Sequence, residues 1–415
     1  MVSVTEVCER AAGVAPRVAG LTAAVKDAAL QAMADALESN AERLQAANAK
    51  DVAAAESGGT SRTLVDRLTL TPPRVASMAA ALRAVAAQPD PIGEVVNGWT
   101  RPNGLQIEKV RMPLGVVAVI YEARPNVTAD VAGLCLKSGN AAVLRGSSIA
   151  VRSNRAIVEV LDRAATGAGV PEDAIQLIED TSRGSALELM QAKGLVDLLV
   201  PRGGRALIAA IEKDATVPYI IDGDGNCHVY VDRSADPDMA TRIVVNAKTQ
   251  RPSVCNAAET LLVHEEISAK WLPSALDALS GLGVEIRGDE RTRQIWAEAV
   301  PATDDDWGTE YLDLVIAVRV VDSIDDAIAH VNRYGTSNAD AVVTEDLSAA
   351  RRFVREVDSG SVFVNASTRF SDGGEFGYGA EIGISTQKLH ARGPMGLREL
   401  TACKYVVWGD GQIRE

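Results

Sequence analysis

The sequence predicts an α/β protein of more than one domain, built on parallel sheet, and three observations carry that expectation. The chain has 415 residues, more than one hydrophobic core usually organises, and 47% of them are hydrophobic, enough to bury two or three cores. From Gly115 onward, short apolar runs alternate with helical patterns, the signature of βαβ units whose ligands bind beyond the carboxyl ends of the strands. A second stretch of the same kind runs from roughly residue 224 to 385.

The elements follow in order. Residues 15 to 56 include LTAAVKDAALQAMADALESNAERLQAANAKDVAAA, with apolar residues at helical spacing, and predict one or two long amphipathic helices. Residues 94–112, EVVNGWTRPNGLQIEKVRM, alternate instead, and the Pro102-Asn103-Gly104 turn joins two such runs into a β-hairpin. The first α/β stretch offers the strands VVAVIYE, AAVLRG, AIQLIE, VDLLVP and VPYII. The second offers TLLVHEE, VEIRG, LVIAVRVV, DAVVTED and SVFVNAS, then a glycine-rich loop at 371–383, SDGGEFGYGAEIG, and a last strand from Thr401 to Trp408. The expected division is a domain at 1–223, a second at 224–385, and a return segment at 386–415.

A net charge of −14 and a pI near 4.9 repel polyanions, which argues against nucleic acid and anionic membrane surfaces as partners. No apolar run approaches the ~18 residues of a membrane span. The start, MVSVTEVCERAAGVAP, carries Glu6 and Glu9 where a secretory signal has a basic region, so a cytoplasmic protein is expected. An anionic small substrate must therefore meet a local cluster of arginines or lysines. Five cysteines without a CxxC pair fit reduced thiols. His228, His264, His330 and His390 are isolated, so neither metal nor histidine-base chemistry finds support.

QRPSVCNAAE (250–259) is the stretch with chemical promise. Ser253, Asn256, Ala257 and Ala258 leave room around Cys255, and the segment lies between a predicted helix and a predicted strand. A turn there can aim backbone N–H groups at a thiolate, and Arg251 would act in the same direction. Cys8, Cys135, Cys227 and Cys403 lack that setting and read as structural. In ARPNV (123–127), Asn126 is either an N-cap or a side-chain amide donor for an oxyanion, and one position can serve both. Gly203 and Gly204, in VPRGGRALI, either let backbone N–H groups approach a phosphate or simply make a tight turn. There is no GxGxxG fingerprint and no GxxxxGK[ST] loop.

The order of segments, from IYEARPNVTADV and SGNAAVLRGSSIAVRSN through LVPRGGRALI, DGDGNCHVYVDRSADPDMA and PSVCNAAETLLVH to SVFVNAS and GLRELTACKYVV, resembles the aldehyde dehydrogenase superfamily along nearly the whole chain. ARPNVT, HVNRYGTSNAD and GYGAEIGISTQKLHARGPMGLREL resemble the branch that reduces γ-glutamyl phosphate in proline biosynthesis. The resemblance implies a cofactor domain, a catalytic domain, and an oligomerisation element made of the 94–112 hairpin with the carboxyl-terminal strand, hence a homo-oligomer. It implies Cys255 as nucleophile and Asn126 as oxyanion donor. Glu310 falls near a family glutamate that contacts the nicotinamide ribose, or is a solvated charge at a strand edge.

Three departures from the family pattern are informative. Where many members read Lys-Pro-Ser-Glu, this chain reads Arg145-Gly146-Ser147-Ser148; without the acidic residue that holds a ribose 2′-hydroxyl, NADP(H) is favoured over NAD(H). Where hydrolytic members read Glu-Leu-Gly-Gly, it reads Asp222-Gly223-Asp224-Gly225, a poorer water-activating base, which suits phosphate as acyl acceptor. Asn338 stands where many relatives have histidine. A substrate carrying a phosphate and an α-carboxylate implies Arg124, Arg251 and, more weakly, Lys137 in its pocket. The glutamate kinase that makes this labile acyl phosphate is a conceivable docking partner. Two other readings stay open from sequence: a hydrolytic NAD(P)-dependent aldehyde dehydrogenase, and a catalytically silent member of the fold.

Overall fold

The structure is a computed structural model that describes residues 2–221 and 223–414; Asp222, and with it the first carboxylate of the Asp222-Gly223-Asp224-Gly225 reading, lies outside the described residues. The chain divides into two compact units, one of residues 1–221, 377–383 and 395–415, the other of residues 222–376 and 384–394. The return segment read as 386–415 is thus shared between the units, and the hairpin at 94–112 belongs to the first.

The first unit opens with α1 Val4–Ala19, α2 Ala23–Ser39, α3 Ala41–Ser57, α4 Arg62–Leu68 and α5 Pro72–Ala87. Within the stretch expected to hold one or two helices, Asn40 ends α2 by donating its side-chain amide to Ala36 O at 2.8 Å. Thr22 begins α2 by accepting from the Val25 amide, so one of the first-turn N–H groups is satisfied. Leu30, Met33, Leu37 and Leu44 are fully buried along the apolar faces. Strands β1 Val95–Thr100 and β2 Gln106–Pro113 form the hairpin, closed at Gly104 with φ +88°. The last strand, β16 Thr401–Trp408, pairs antiparallel with the other edge of β2, so this sheet has the order β1-β2-β16.

The core of this unit is a parallel sheet of β3 Val116–Tyr121, β4 Ala141–Arg145, β5 Ile175–Leu177 and β6 Leu198–Arg202 in the order β5-β4-β3-β6. The crossovers carry α6 Pro125–Lys137, α7 Val151–Gly167 and α8 Arg183–Met190, and α9 Arg205–Asp214 follows β6. Every residue of β3 is buried, as expected of a central parallel strand covered on both faces. Strand order reverses between β3 and β6, and that switch point places Glu122, Arg124, Gly203 and Gly204 together beyond the carboxyl ends. The expected strand VPYII is not a strand: it contributes one bridge, Leu199 with Tyr219, because Pro218 has no N–H to extend the ladder.

The second unit is a seven-stranded sheet ordered β10-β9-β11-β8-β7-β12-β13 with every neighbouring pair parallel. Its elements run β7 Cys227–Val231, α10 Pro237–Thr249, β8 Ala258–His264, α11 Glu265–Ser280, β9 Glu285–Gly288, α12 Glu290–Ile295, β10 Val300–Pro301, β11 Val315–Val321, α13 Ile324–Tyr334, β12 Ala339–Val343, α14 Leu347–Glu356 and β13 Ser361–Val364. A two-residue pair follows, β14 Ile384–Ser385 with β15 Gly393–Pro394. Alternate strand residues face opposite sides. Val229, Val231, Leu261, Val263 and Val318 pack with residues of α10 and α11, while Tyr230, Leu262 and Val342 pack with residues of α13 and α14.

Candidate active site

Cys255 occupies the turn between α10 and β8 in the second unit, half-buried. Two distant segments clamp that turn. On one side, Gly225 lies so close that a Cβ built on it would stand 1.6 Å from Cys255 O, so no side chain fits there, and the Cys227 thiol donates to the same carbonyl at 3.2 Å. On the other side, the buried Asn256 side-chain amide donates to Ser371 O at 2.9 Å, and the Thr368 hydroxyl donates to Asn256 O at 2.7 Å. The peptide units flanking the sulfur are therefore held through carbonyls, amides and a glycine contact. Burial pushes the Cys227 thiol well above its ordinary value, with Asp340 and Cys255 acting in the same direction. Burial likewise raises Cys135 to about 12 and Cys8 to about 11. These three remain protonated thiols at neutral pH, which matches their reading as structural; Cys403 is exposed on β16.

Charge is organised around the turn. Lys248, from the last turn of α10, pairs with Glu259 at 2.5 Å, both fully buried; burial pushes the Glu259 carboxyl up to about 7 against the opposing lysine, and pulls Lys248 down. The Leu312 amide donates to the other Glu259 oxygen at 3.2 Å. Glu310 accepts from the Gly225 amide at 2.8 Å, so it is tied to the backbone that abuts Cys255 rather than standing as a solvated edge charge. Arg251 is exposed. Arg369, which the sequence reading did not single out, follows Thr368 in the clamping segment and donates from Nε to Gln250 Oε1 at 2.9 Å. Burial pulls its guanidinium below the ordinary value; Arg251 acts in the same direction, while Asp372 and the sulfurs of Cys255 and Cys227 oppose. Asn338 is buried, and neither polar atom of its side chain has a hydrogen-bond partner among the described residues.

In the first unit, Asn126 is not the N-cap of α6. Arg124 takes that place, Pro125 leads the helix, and the exposed Asn126 side-chain amide donates to Asp130 at 3.0 Å. Packing around the Asp130 carboxyl raises it to about 6, opposed by Asn126 and Arg202. Arg124 is half-buried at the switch point. Lys137 requires a correction: it is 1% exposed, and its ammonium pairs with Asp27 and donates to Ala86 O, so it joins α6 to the helical layer rather than lining a substrate pocket. Arg145 ends β4 and donates to Thr181 O and Ser182 O, each at 2.7 Å, and its Nε is buried without a partner among the described residues. Burial lowers this guanidinium, with Asp180 opposing. Ser147 caps the short 3-10 turn 148–150, and Ser148 is exposed. Gly204 is the N-cap of α9, but its amide already donates to Glu122 at 2.9 Å. Gly203 sits against Glu122 and Leu207, where a Cβ would come within 3.0 Å. A carboxylate therefore takes one of the amides, that of Gly204, that the glycine reading offered to phosphate.

A half-buried cysteine in a clamped turn of one α/β unit, in a chain whose other unit is a parallel sheet with a switch point of its own, defines a class. The aldehyde dehydrogenase family model matches residues 2–295 and 298–406, and the chain belongs to that family, whose enzymes are NAD(P)-dependent oxidoreductases. Among its relatives, the γ-glutamyl phosphate reductase of Moorella thermoacetica is 59% identical over 98% of this chain and 97% of that protein. That of Thermobifida fusca is 56% identical over 99% and 98%. Among solved structures, the γ-glutamyl phosphate reductase of Thermotoga maritima superposes with a TM-score of 0.97 at 46% identity, covering 100% of both chains.

Proposed function

We propose that this chain reduces γ-glutamyl phosphate to glutamate 5-semialdehyde and phosphate, with Cys255 as the nucleophile. The observation that carries this reading is the clamped Cys255 turn, in a chain more than half identical to γ-glutamyl phosphate reductases over nearly their full length. The Cys255 thiolate attacks the acyl carbon, the bond from that carbon to the phosphate oxygen breaks, and a thioester remains on the sulfur. The oxyanion of the tetrahedral intermediate is held by the Cys255 backbone N–H and by the Asn126 amide, which keeps one hydrogen to give while the other serves Asp130. Arg124 and Arg251 face the anionic ends of the substrate. The clamp keeps the thioester carbonyl oriented while water is excluded, since hydrolysis would discard the activated acyl group.

A nicotinamide cofactor supplies hydride when bound. The residues present fit the 2′-phosphorylated form: the 145–148 turn contains no carboxylate, Arg145 keeps a positive charge at the end of β4, and its buried Nε is an unused donor. Arg145, Ser147 and Ser148 would hold the adenosine ribose end. Gly203 and Gly204 would face the pyrophosphate, with Glu122 yielding the Gly204 amide, and Glu310 would hold the nicotinamide ribose. The protein works as a homo-oligomer through the β1-β2-β16 sheet, where Trp99, Tyr405, Val407 and Trp408 are exposed.

The deciding experiment is steady-state NADPH formation from glutamate semialdehyde, with and without inorganic phosphate, for the parent and Cys255→Ser. Turnover that requires phosphate and falls at least ~10³-fold in Cys255→Ser is the expected result. Oxidation that runs equally well in phosphate-free buffer would return the chain to hydrolytic aldehyde chemistry.

A further inference from the structure

Cys255 is approached by a second arginine that neither the sequence motifs nor the family pattern assigned. Thr368 and Ser371 are both bonded to Asn256, the residue after the nucleophile, so Arg369 is carried on a segment stapled beside the sulfur. Its Nε is anchored on Gln250, at the end of α10. Its two terminal nitrogens have no hydrogen-bond or ion-pair partner among the described residues. Arg251 likewise has no carboxylate partner among them, whereas Arg83, Arg287, Arg352 and Arg392 all sit on carboxylates. A half-buried guanidinium with an anchored Nε and two open donors is a preorganised fork for a tetrahedral oxyanion.

We propose that Arg369 is the phosphate-binding residue of this site, receiving the phosphoryl group of the acyl phosphate and then the departing phosphate. The inference rests on the function proposed above and deepens it. Phosphorus is separated from the acyl carbon by a single oxygen, whereas the α-carboxylate lies at the far end of the glutamyl chain. A cation carried beside the nucleophile therefore meets the phosphoryl group first, and Arg124 or the more exposed Arg251 remains for the carboxylate. In the oxidative direction an oxygen of inorganic phosphate bonds to the thioester carbon and the carbon–sulfur bond breaks. The sulfur departs with the electron pair as thiolate, and the phosphate proton goes to water. Arg369 fixes the attacking phosphate and neutralises charge that would otherwise face the leaving thiolate.

The test uses inorganic phosphate and the full chain, in two readouts. The first is the rate of Cys255 alkylation by iodoacetamide across a phosphate titration without nicotinamide, followed by mass spectrometry. The second is the pair of KM values for phosphate and for semialdehyde in the oxidative direction. In the parent, phosphate protects Cys255. In Arg369→Gln the protection is lost and the KM for phosphate rises roughly 10- to 100-fold, as for a lost hydrogen bond to a charged group, while the KM for semialdehyde stays within about twofold and Arg369→Lys falls between. An unchanged phosphate KM with protection retained, or a rise confined to the semialdehyde KM, overturns the assignment and leaves the phosphate-dependent function standing. Parent turnover indifferent to phosphate overturns both. If Arg369→Gln fails to fold, Gln250→Ala, which releases the Nε anchor, carries the same comparison: a raised phosphate KM supports the proposal and an unchanged one refutes it.

Discussion

At the scale of single residues, Cys255, the nucleophile we propose, owes its setting to a glycine that offers no functional group. Gly225 has an ordinary backbone conformation, and only space demands it: the Cβ of any other residue would fall 1.6 Å from Cys255 O and 2.4 Å from Cys255 Cα. Gly225→Ala must push the Cys255 turn, the Gly225 amide bond to Glu310, or both. We expect a loss of roughly 100-fold in kcat, the scale of an ångström-sized misplacement, with little change in the far-UV circular dichroism spectrum. A variant with parental kcat would show that the turn yields without consequence. The Cys255 turn could be singled out from sequence, because small residues and an arginine around a cysteine are a local pattern. Arg369 and Thr368 were not, because the contact that matters links Thr368 to Asn256, 112 positions away, and no periodicity encodes it. Lys137 misled for the converse reason: a lysine near the end of an apolar helix looks like a free charge until tertiary packing supplies Asp27 and a carbonyl.

At the scale of elements, strands such as β3 were readable because a parallel strand buried on both faces can be a short apolar run, and β8 and β12 keep enough of that pattern in TLLV and AVV despite the buried Glu259, His264 and Asp340. The pattern failed where one proline decided the outcome, at Pro218, and at α6, where Pro125 moved the cap back to Arg124. Helix α6 also carries a pH signature. The folded state raises Asp130 to about 6, above the ordinary aspartate value near 3.9. The ionised carboxylate therefore destabilises the fold above about pH 6, and that cost is relieved as pH falls toward the unfolded value. Asp130→Asn should raise Tm by about 2–4 °C at pH 8, with the difference shrinking steadily between pH 6 and pH 4.5. Thermal melts at the three pH values check this, and a gap that widens on acidification would contradict it.

At the scale of the whole molecule, the β1-β2-β16 sheet stands out. All six residues of β1 are exposed, and a three-stranded sheet with aromatic and aliphatic side chains in solvent and two open edges is unstable against association. If this sheet carries the proposed homo-oligomer contact, Val407→Lys combined with Tyr405→Glu should shift the mass measured by light scattering toward the single chain of 43.7 kDa, with the Cys255 alkylation rate unchanged. A mass unaffected by both charges would place the subunit contact elsewhere.

The path of the chain has one more consequence, for biosynthesis. The first unit is interrupted by the second and resumes only at 377–383 and again from 395, and Trp408 of β16 bonds Glu108 of β2 across 300 positions. On a ribosome, β2 emerges early and must wait for nearly the entire remainder of the polypeptide before its second neighbour exists. The inserted unit, whose sheet is assembled from residues 227–364, can close before the unit that encloses it in sequence. Nascent chains stalled short of residue 401 should thus hold a protease-resistant interior while their hairpin is still cut, and a premature stop near the end would leave that hairpin one strand short for good.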